Sequence, residues 1–265
     1  MKHRSKRSRR STGAAWQRAV RVLGMLAAAG WVCSLNTPVR GDLVLETETA
    51  QLGKKGTLGT STGVQLERGK DGSTTAFTLN QFEYAVSDRI EILVEPFFYQ
   101  KSKPKDAPSY SGVGDIEITP SWMIVEEAAR VPAVVLSFKV KVPTATNRDI
   151  GTGEFDYQPF VILGKTSGPW TFNANLGVDF VTSPSDEPLK NQFIYDLSVE
   201  RAITPKWSVF GEIFGNSSPA DGEKSTFAGA IATEYKLSEK SNVFVSFGYD
   251  TDRVANVRFG INIEF

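Results

Sequence analysis

From residue 59 onward the chain keeps returning to one pattern, a run of roughly ten residues alternating apolar and polar, then a turn, then another run. The purest example is "PWTFNANLGVDF". It sets Trp170, Phe172, Ala174, Leu176, Val178 and Phe180 against Thr171, Asn173, Asn175, Gly177 and Asp179. A period of two places those sets on opposite faces of a strand. "VVLSFKVKV", "DIEITPSW", "FIYDLSVE" and "SNVFVSFGYD" repeat it, and the chain ends on it in "NVRFGINIEF". Twelve runs can be placed, near 59–68, 75–86, 89–100, 113–126, 131–143, 154–165, 169–181, 191–202, 206–216, 225–237, 241–250 and 256–265. The run at 75–86 is the least regular, because Leu79 and Phe82 share a face only across a bulge.

The links between runs are of two kinds. "SD", "EEAAR", "TSG", "TPK" and "LSEK" are tight, whereas "KSKPKDAPSYSG", "PTATNRDIGTGE", "TSPSDEPLK" and "NSSPADGEKS" are long and polar. Tight turns on one side and longer loops on the other belong to a barrel in a membrane, with its apolar face toward lipid and its polar face toward a lumen. A β-sandwich has no reason to sort its loops in this way. A lipocalin-like soluble barrel shares the alternation with the faces inverted. No stretch after residue 41 is apolar for 18 residues, so no transmembrane helix is expected. The expected fold is all-β, a closed antiparallel up-and-down transmembrane β-barrel of about 12 strands.

Ahead of the barrel, residues 1–41 hold nine Lys or Arg and no acid, with the apolar run "VLGMLAAAGWVC" at 22–33 and small Val39 and Gly41 before Asp42. That is the layout of a cleaved signal peptide with a long basic start. Residues 42–58 are expected to form a short periplasmic lead or partial plug, and residues 59–265 the barrel. The full chain balances 30 basic against 30 acidic residues. Removing the leader leaves 21 basic residues against 30 acidic ones, a net charge of minus nine that speaks against a nucleic-acid partner. The only His is His3 and the only Cys is Cys33, so both leave with the leader. Ser-His-Asp and Cys-His catalysis, His or Cys metal sites and disulfides leave with them. No cofactor, no metal and no enzymatic activity are expected.

The blocks "FEYAVSDRIEI", "SGVGDIEITPSW", "KVKVPTATNRDIGTGEFDYQPFVILGK", "WTFNANLGVDF", "RAITPKWSVFGEIFG" and "GINIEF" resemble, in order and spacing over about residues 50–265, the outer-membrane barrels of the MetA-pathway of phenol degradation family. The resemblance implies a bacterial outer-membrane barrel that passes small, aromatic or hydrophobic, molecules.

If the polar faces point inward, the lumen gains Glu91, Glu95, Asp115, Glu117, Lys139, Lys141, Asp156, Asn173, Asn175, Asp179, Asp196, Glu200, Glu212, Glu234 and Arg258. These charges either fill a narrow interior as paired ladders or line a cation-favouring path. Phe97, Tyr99, Phe160, Phe214 and Phe244 are candidates to break the polar rule inside. Trp122, Trp170 and Trp207 lie near strand ends and read as an interfacial aromatic girdle. Phe259, Ile261, Ile263 and the terminal Phe265 form the apolar face of the last run, the pattern of a barrel-assembly signal. The glycine clusters at 112–115 and 151–153 lack the strand–loop–helix context of a phosphate site. The function expected is passive passage of small solutes by a monomer held in outer-membrane lipid. A filled structural barrel, a loop-binding barrel and a lipid-acting barrel enzyme are the alternatives.

Overall fold

The computed structural model describes residues 42–184 and 188–265. The leader expected at 1–41 lies outside the described residues. A 3-10 turn at Asp42–Val44 is followed by an extended segment and then by strands β1 (Leu58–Gly69), β2 (Thr74–Ser87), β3 (Ile90–Pro96), β4 (Gln100–Lys103), β5 (Tyr110–Gly112), β6 (Ile116–Val125) and β7 (Ala133–Val142). After these come β8 (Asp156–Ser167), β9 (Trp170–Asp179), β10 (Gln192–Thr204), β11 (Trp207–Asn216), β12 (Thr226–Ser238), β13 (Ser241–Asp250) and β14 (Val254–Glu264).

Every strand pairs antiparallel with its neighbours, and β1 pairs with both β2 and β14. The register β1–β14 runs from Gly59 against Glu264 to Gly69 against Val254. That pairing closes the sheet into a ring of twelve staves, because β4 continues the line of β3 along β2, and β5 that of β6 along β4. Closure removes the unpaired edge that lipid would not tolerate. The twelve-strand expectation therefore holds, with two of the runs interrupted. At the first break Thr78 N–H donates to Tyr99 O (2.9 Å) and Tyr99 N–H to Thr78 Oγ1 (3.1 Å), so the wall stays hydrogen-bonded. Within β6, Pro120 has no N–H to offer. Pairing with β7 skips from Ile118 against Val140 to Ser121 against Ser137.

Register shifts fall at Ala85–Ser87, Met123–Val125, Ala202–Thr204 and Lys236–Ser238. All four lie where a strand enters a tight turn, and the added twist of a bulge helps the chain reverse there. No bulge separates Leu79 from Phe82. Leu79 points inward (6% exposed) and Phe82 outward (43%), because Leu79 packs against residues inside the barrel and leaves the lipid face to Phe82. The β8–β9 reversal uses Gly168 at φ +59°, a conformation that side-chain-bearing residues adopt with difficulty.

The alternation sorts side chains as a membrane wall requires. Leu136, Leu163, Leu176, Leu197, Ile213 and Ile231 are exposed on the outside, whereas Gln65, Ser137, Asn175, Asn242, Ser246 and Asn262 are buried on the inside. Exposed aromatics collect toward both ends: Trp122, Trp170, Trp207 and Tyr235 at the short-turn end, and Phe155, Phe180, Phe193, Phe227 and Tyr249 at the long-loop end. The Arg201 guanidinium lies 4.9 Å above the Trp170 ring, and Trp207 Nε1–H donates to Thr233 Oγ1 (2.6 Å). In the last strand Phe259 and Phe265 are exposed, and Ile261 and Ile263 are half-buried on the same face.

Leu197 sits midway along β10 on the outer face. Its replacement by Arg is expected to lower the unfolding free energy in lipid by about 2–4 kcal/mol. A denaturant titration in vesicles checks this, and Leu197→Met should change little.

Candidate functional site: the barrel lumen

The interior is not empty. Residues 42–57 run through it, entering beside the short turns where β1 begins and climbing to the middle of the barrel. The wall's own polar side chains bind this segment's backbone at regular intervals. Gly56 N–H donates to Ala85 O (2.8 Å) and Lys55 N–H to Asp88 Oδ1 (2.9 Å) at the entrance. Gly53 N–H then donates to Glu91 Oε2 (2.8 Å) and Ala50 N–H to Asn173 Oδ1 (3.3 Å). With its amide oriented to satisfy both neighbours, Asn175 donates to Glu48 O (3.0 Å) and accepts from Glu48 N–H (2.7 Å). Higher still, the Glu212 carboxylate accepts from the N–H groups of Glu46 (3.0 Å) and Thr47 (3.1 Å) and from Thr47 Oγ1 (3.0 Å). A lone extended segment leaves its N–H and C=O groups unsatisfied. Here side chains of β3, β9 and β11 do the work that a neighbouring strand would do in a sheet.

At the top of the segment Arg258 gathers several acceptors at once. Its Nε–H donates to Gln65 Oε1 (2.7 Å), its Nη1 to Leu43 O (3.2 Å) and Leu45 O (3.1 Å), and its Nη2 to the Glu46 carboxylate. The planar guanidinium offers five donors in a fixed fork, which suits it to clamp two carbonyls and a carboxylate together. Two apolar clusters complete the seating. Leu43 and Val44 are buried against Leu79, Ala232 and Phe244, while Ala50 is buried with Met123, Ala133, Val135, Phe160 and Ile162. Gly164 explains why the chain passes so near the wall there. A Cβ at that position would lie 2.5 Å from Ala50 Cβ.

A second set of charges sits on the β3–β6–β7–β8 side. Lys139 Nζ lies 2.9 Å from Glu117 and 3.4 Å from Glu95, and Lys141 Nζ pairs with Asp156 and lies 4.0 Å from Asp115. Lys141 also donates to Thr152 Oγ1 (3.1 Å). Asp115 Oδ1 accepts from the N–H groups of Thr144 and Ala145 (both 2.9 Å), which folds the 143–155 loop onto the wall. The glycines at 112, 114 and 151 make that fold possible: a Cβ on each would meet Thr146, Phe97 or Asp115 respectively. Gly112, Gly114 and Gly151 therefore serve close packing of a loop.

Glu91, Asp115, Asp156, Asn173, Asn175, Glu212, Glu234 and Arg258 are buried on the inner face, and Glu95, Glu117, Lys139, Lys141, Asp179, Asp196 and Glu200 are half-buried there. The structure brings them together as two groups rather than one. On β9, β10 and β12 the acids Asp179, Asp196 and Glu234 have no Lys or Arg within 4 Å among the described residues, and Glu200 accepts only from Ser208 Oγ (2.7 Å). Of the aromatics considered for the interior, Phe160 and Phe244 are buried there, Phe97 packs on Phe77 with ring centres 6.2 Å apart, Phe214 is half-buried, and Tyr99 is exposed at 47%. Sequence reasoning missed Gln65, Leu79, Asn242 and Asn262, all buried on the inner face. It also missed Glu46, whose partners become visible only once the first segment is placed inside. Among the described residues no group of His, Cys, Asp and Glu is arranged to hold a metal ion.

Glu212→Ala leaves three donors on Glu46 and Thr47 without an acceptor, a loss on the order of 1–3 kcal/mol. Amide exchange at Glu46 and Thr47 is expected to quicken by about 5- to 150-fold, while the strands keep their protection. Residue-resolved hydrogen exchange measures both.

Comparison with solved structures places this architecture among outer-membrane barrels. The COG4313 outer membrane channel from Pseudomonas putida F1 superposes with a TM-score of 0.65 at 14% identity, over 86% of this chain and 100% of that one. The NanC porin gives 0.57 at 11% identity, over 77% and 98%, and the KdgM porin 0.54 at 10%, over 78% and 99%. A comparison with curated proteins finds no match. The model of one protein family matches residues 46–262, from the lumenal segment to the last strand, and the chain belongs to that family, described as "Putative MetA-pathway of phenol degradation".

Proposed function

We propose that this protein is an outer-membrane channel for passive passage of small solutes, exported by its 1–41 leader and narrowed by residues 42–57 as a lumenal plug. The observation that carries this reading is the two-faced wall, apolar outside and rich in carboxylates inside, closed around a segment that only side chains hold in place. A closed barrel of this kind has no place to work except a bilayer. A carboxylate-rich interior serves a path better than a packed core, where uncompensated acids would be costly. The channel and porin structures named above support the same reading, and the family's description points to aromatic or hydrophobic solutes. No nucleotide motif accompanies the barrel, so passage is driven by the solute's own gradient. The surplus of acids over Lys139, Lys141 and Arg258 favours cations among ions. Trp122, Trp170 and Trp207 act as an interfacial girdle, Phe259 to Phe265 address the chain to the assembly machinery, and the working unit is a monomer in lipid.

Planar-bilayer recording tests the channel. The intact barrel is expected to conduct in small steps with a reversal potential favouring the cation in a salt gradient. Removal of residues 42–56 should raise the step size, and Asp196→Asn with Glu234→Gln should weaken the cation preference. Because the segment fills much of the lumen, a closed structural barrel is the second reading. Stable insertion with no conductance while 42–56 is in place, and conductance only once it is removed, selects it.

Phe265 is 64% exposed, and its N–H donates to Leu58 O (2.9 Å). Its deletion should cut the amount of folded barrel recovered from the outer membrane several-fold while leaving refolding into detergent intact. Heat-modifiability on gels reads both.

A further inference from the structure

The lumen contains an apolar patch that a polar path does not need. Leu79 of β2, Ala232 of β12 and Phe244 of β13 are buried on the inner face at mid-height, with Phe77 and Phe210 packed beside them. What covers this patch is the chain itself: Leu43 and Val44, 5% and 3% exposed, on the 3-10 turn that opens the described chain. The turn touches β1, β2, β12, β13 and β14. Its polar attachments are few, the two carbonyl contacts to Arg258 and the Glu46 clamp just beyond.

We propose that this patch is a binding seat for a small, neutral, apolar or aromatic solute, and that Leu43 and Val44 occupy it as an internal surrogate which the solute displaces. The inference rests on the channel reading and adds to it a place in the lumen, a ligand class and a competitor. The chemistry selects the class. Two aliphatic side chains fill the seat, so its occupant is small and lacks polar atoms on the face it buries. Arg258, which touches the turn's carbonyls, is matched by the Glu46 carboxylate, and Glu212, Asp196 and Glu234 add further acids facing the same lumen, so the surplus negative charge disfavours an anion. With the proposed leader removed, displacement is feasible because the turn then lies at the end of the chain, beyond the anchors at Glu91, Asn173 and Glu212. Those lower anchors can hold while the top swings away.

Thiol accessibility tests this without requiring any ion flow, so failure here and failure of the channel reading are told apart. In the exported protein, residues 42–265, which contain no native thiol, Val44→Cys is close to isosteric and places a thiol in the seat. Its labelling by a water-soluble maleimide should be slow and should accelerate by at least about tenfold with millimolar p-cresol. 4-Hydroxybenzoate at the same concentration should leave it slow, as should p-cresol acting on a wall thiol at Ser137→Cys. The thiol-free chain gives a second readout, since amide exchange at Val44 and Leu45 should quicken with p-cresol while Glu46 and Thr47, whose N–H groups Glu212 holds, stay protected. No acceleration with p-cresol overturns the proposal. So does an equal response to 4-hydroxybenzoate, or an equal response at Ser137→Cys.

Discussion

Everything in this structure depends on the main-chain hydrogen bonds between the first strand and the last. β1 meets β14 over eleven paired positions, from Gly59 to Gly69, and meets β2 over another eleven. Without that seam the sheet would present two rows of unsatisfied N–H and C=O groups to hydrocarbon, each costing several kcal/mol. With it, among the described residues, backbone not paired strand to strand lies in loops, in the short break at 97–99, at the Pro120 skip between β6 and β7 and in the segment inside. The sidedness of the side chains follows from closure, because a ring has an inside and a period-two strand can serve only two environments.

The interior then poses its own problem. A twelve-strand ring is too wide for its inward side chains to fill, as they do in an eight-strand ring, and too narrow to be a wide aqueous pore. This chain meets the difficulty by lending the space to its own N-terminal segment. The polar residues that make the wall look like a water-lined channel, among them Glu91, Asn173, Asn175 and Glu212, spend their hydrogen-bonding capacity on that segment's backbone. The acids left over, Asp179 on β9, Asp196 on β10 and Glu234 on β12, are spread over the same side of the wall at different heights and face the lumen beside the segment.

How much of this could be read from residues alone varies with the physics involved. Strand faces were plain because alternation is local: Trp170 to Phe180 turn outward and Thr171 to Asp179 inward whatever the neighbours do. The twelve-stave count was legible for the same reason. Two features were not legible. The alternation of β2 is unbroken, so Leu79 is an apolar residue on the inner face whose place only Leu43 and Phe244 explain, and the break after Pro96 carries no turn signal strong enough to announce it. Lysine pairings were half visible: Lys141 pairs with Asp156 directly across the strand, but Lys139 reaches Glu117 diagonally and Glu95 two strands away. For 42–57 the residues alone leave a periplasmic lead and a partial plug both open. Nothing local in "DLVLETETAQLGKKG" decides between them, because the wall side chains that hold it are 33 to 215 residues distant in the chain.

Arg258 and Gln65, which together cradle the head of that segment, stand on β14 and β1, the two strands that form the seam. The cradle therefore does not exist until the last strand to leave the ribosome has found the first. The anchors on β3, β9 and β11 stand apart from the seam, but the head of the segment can be fully seated only in a wall that has closed.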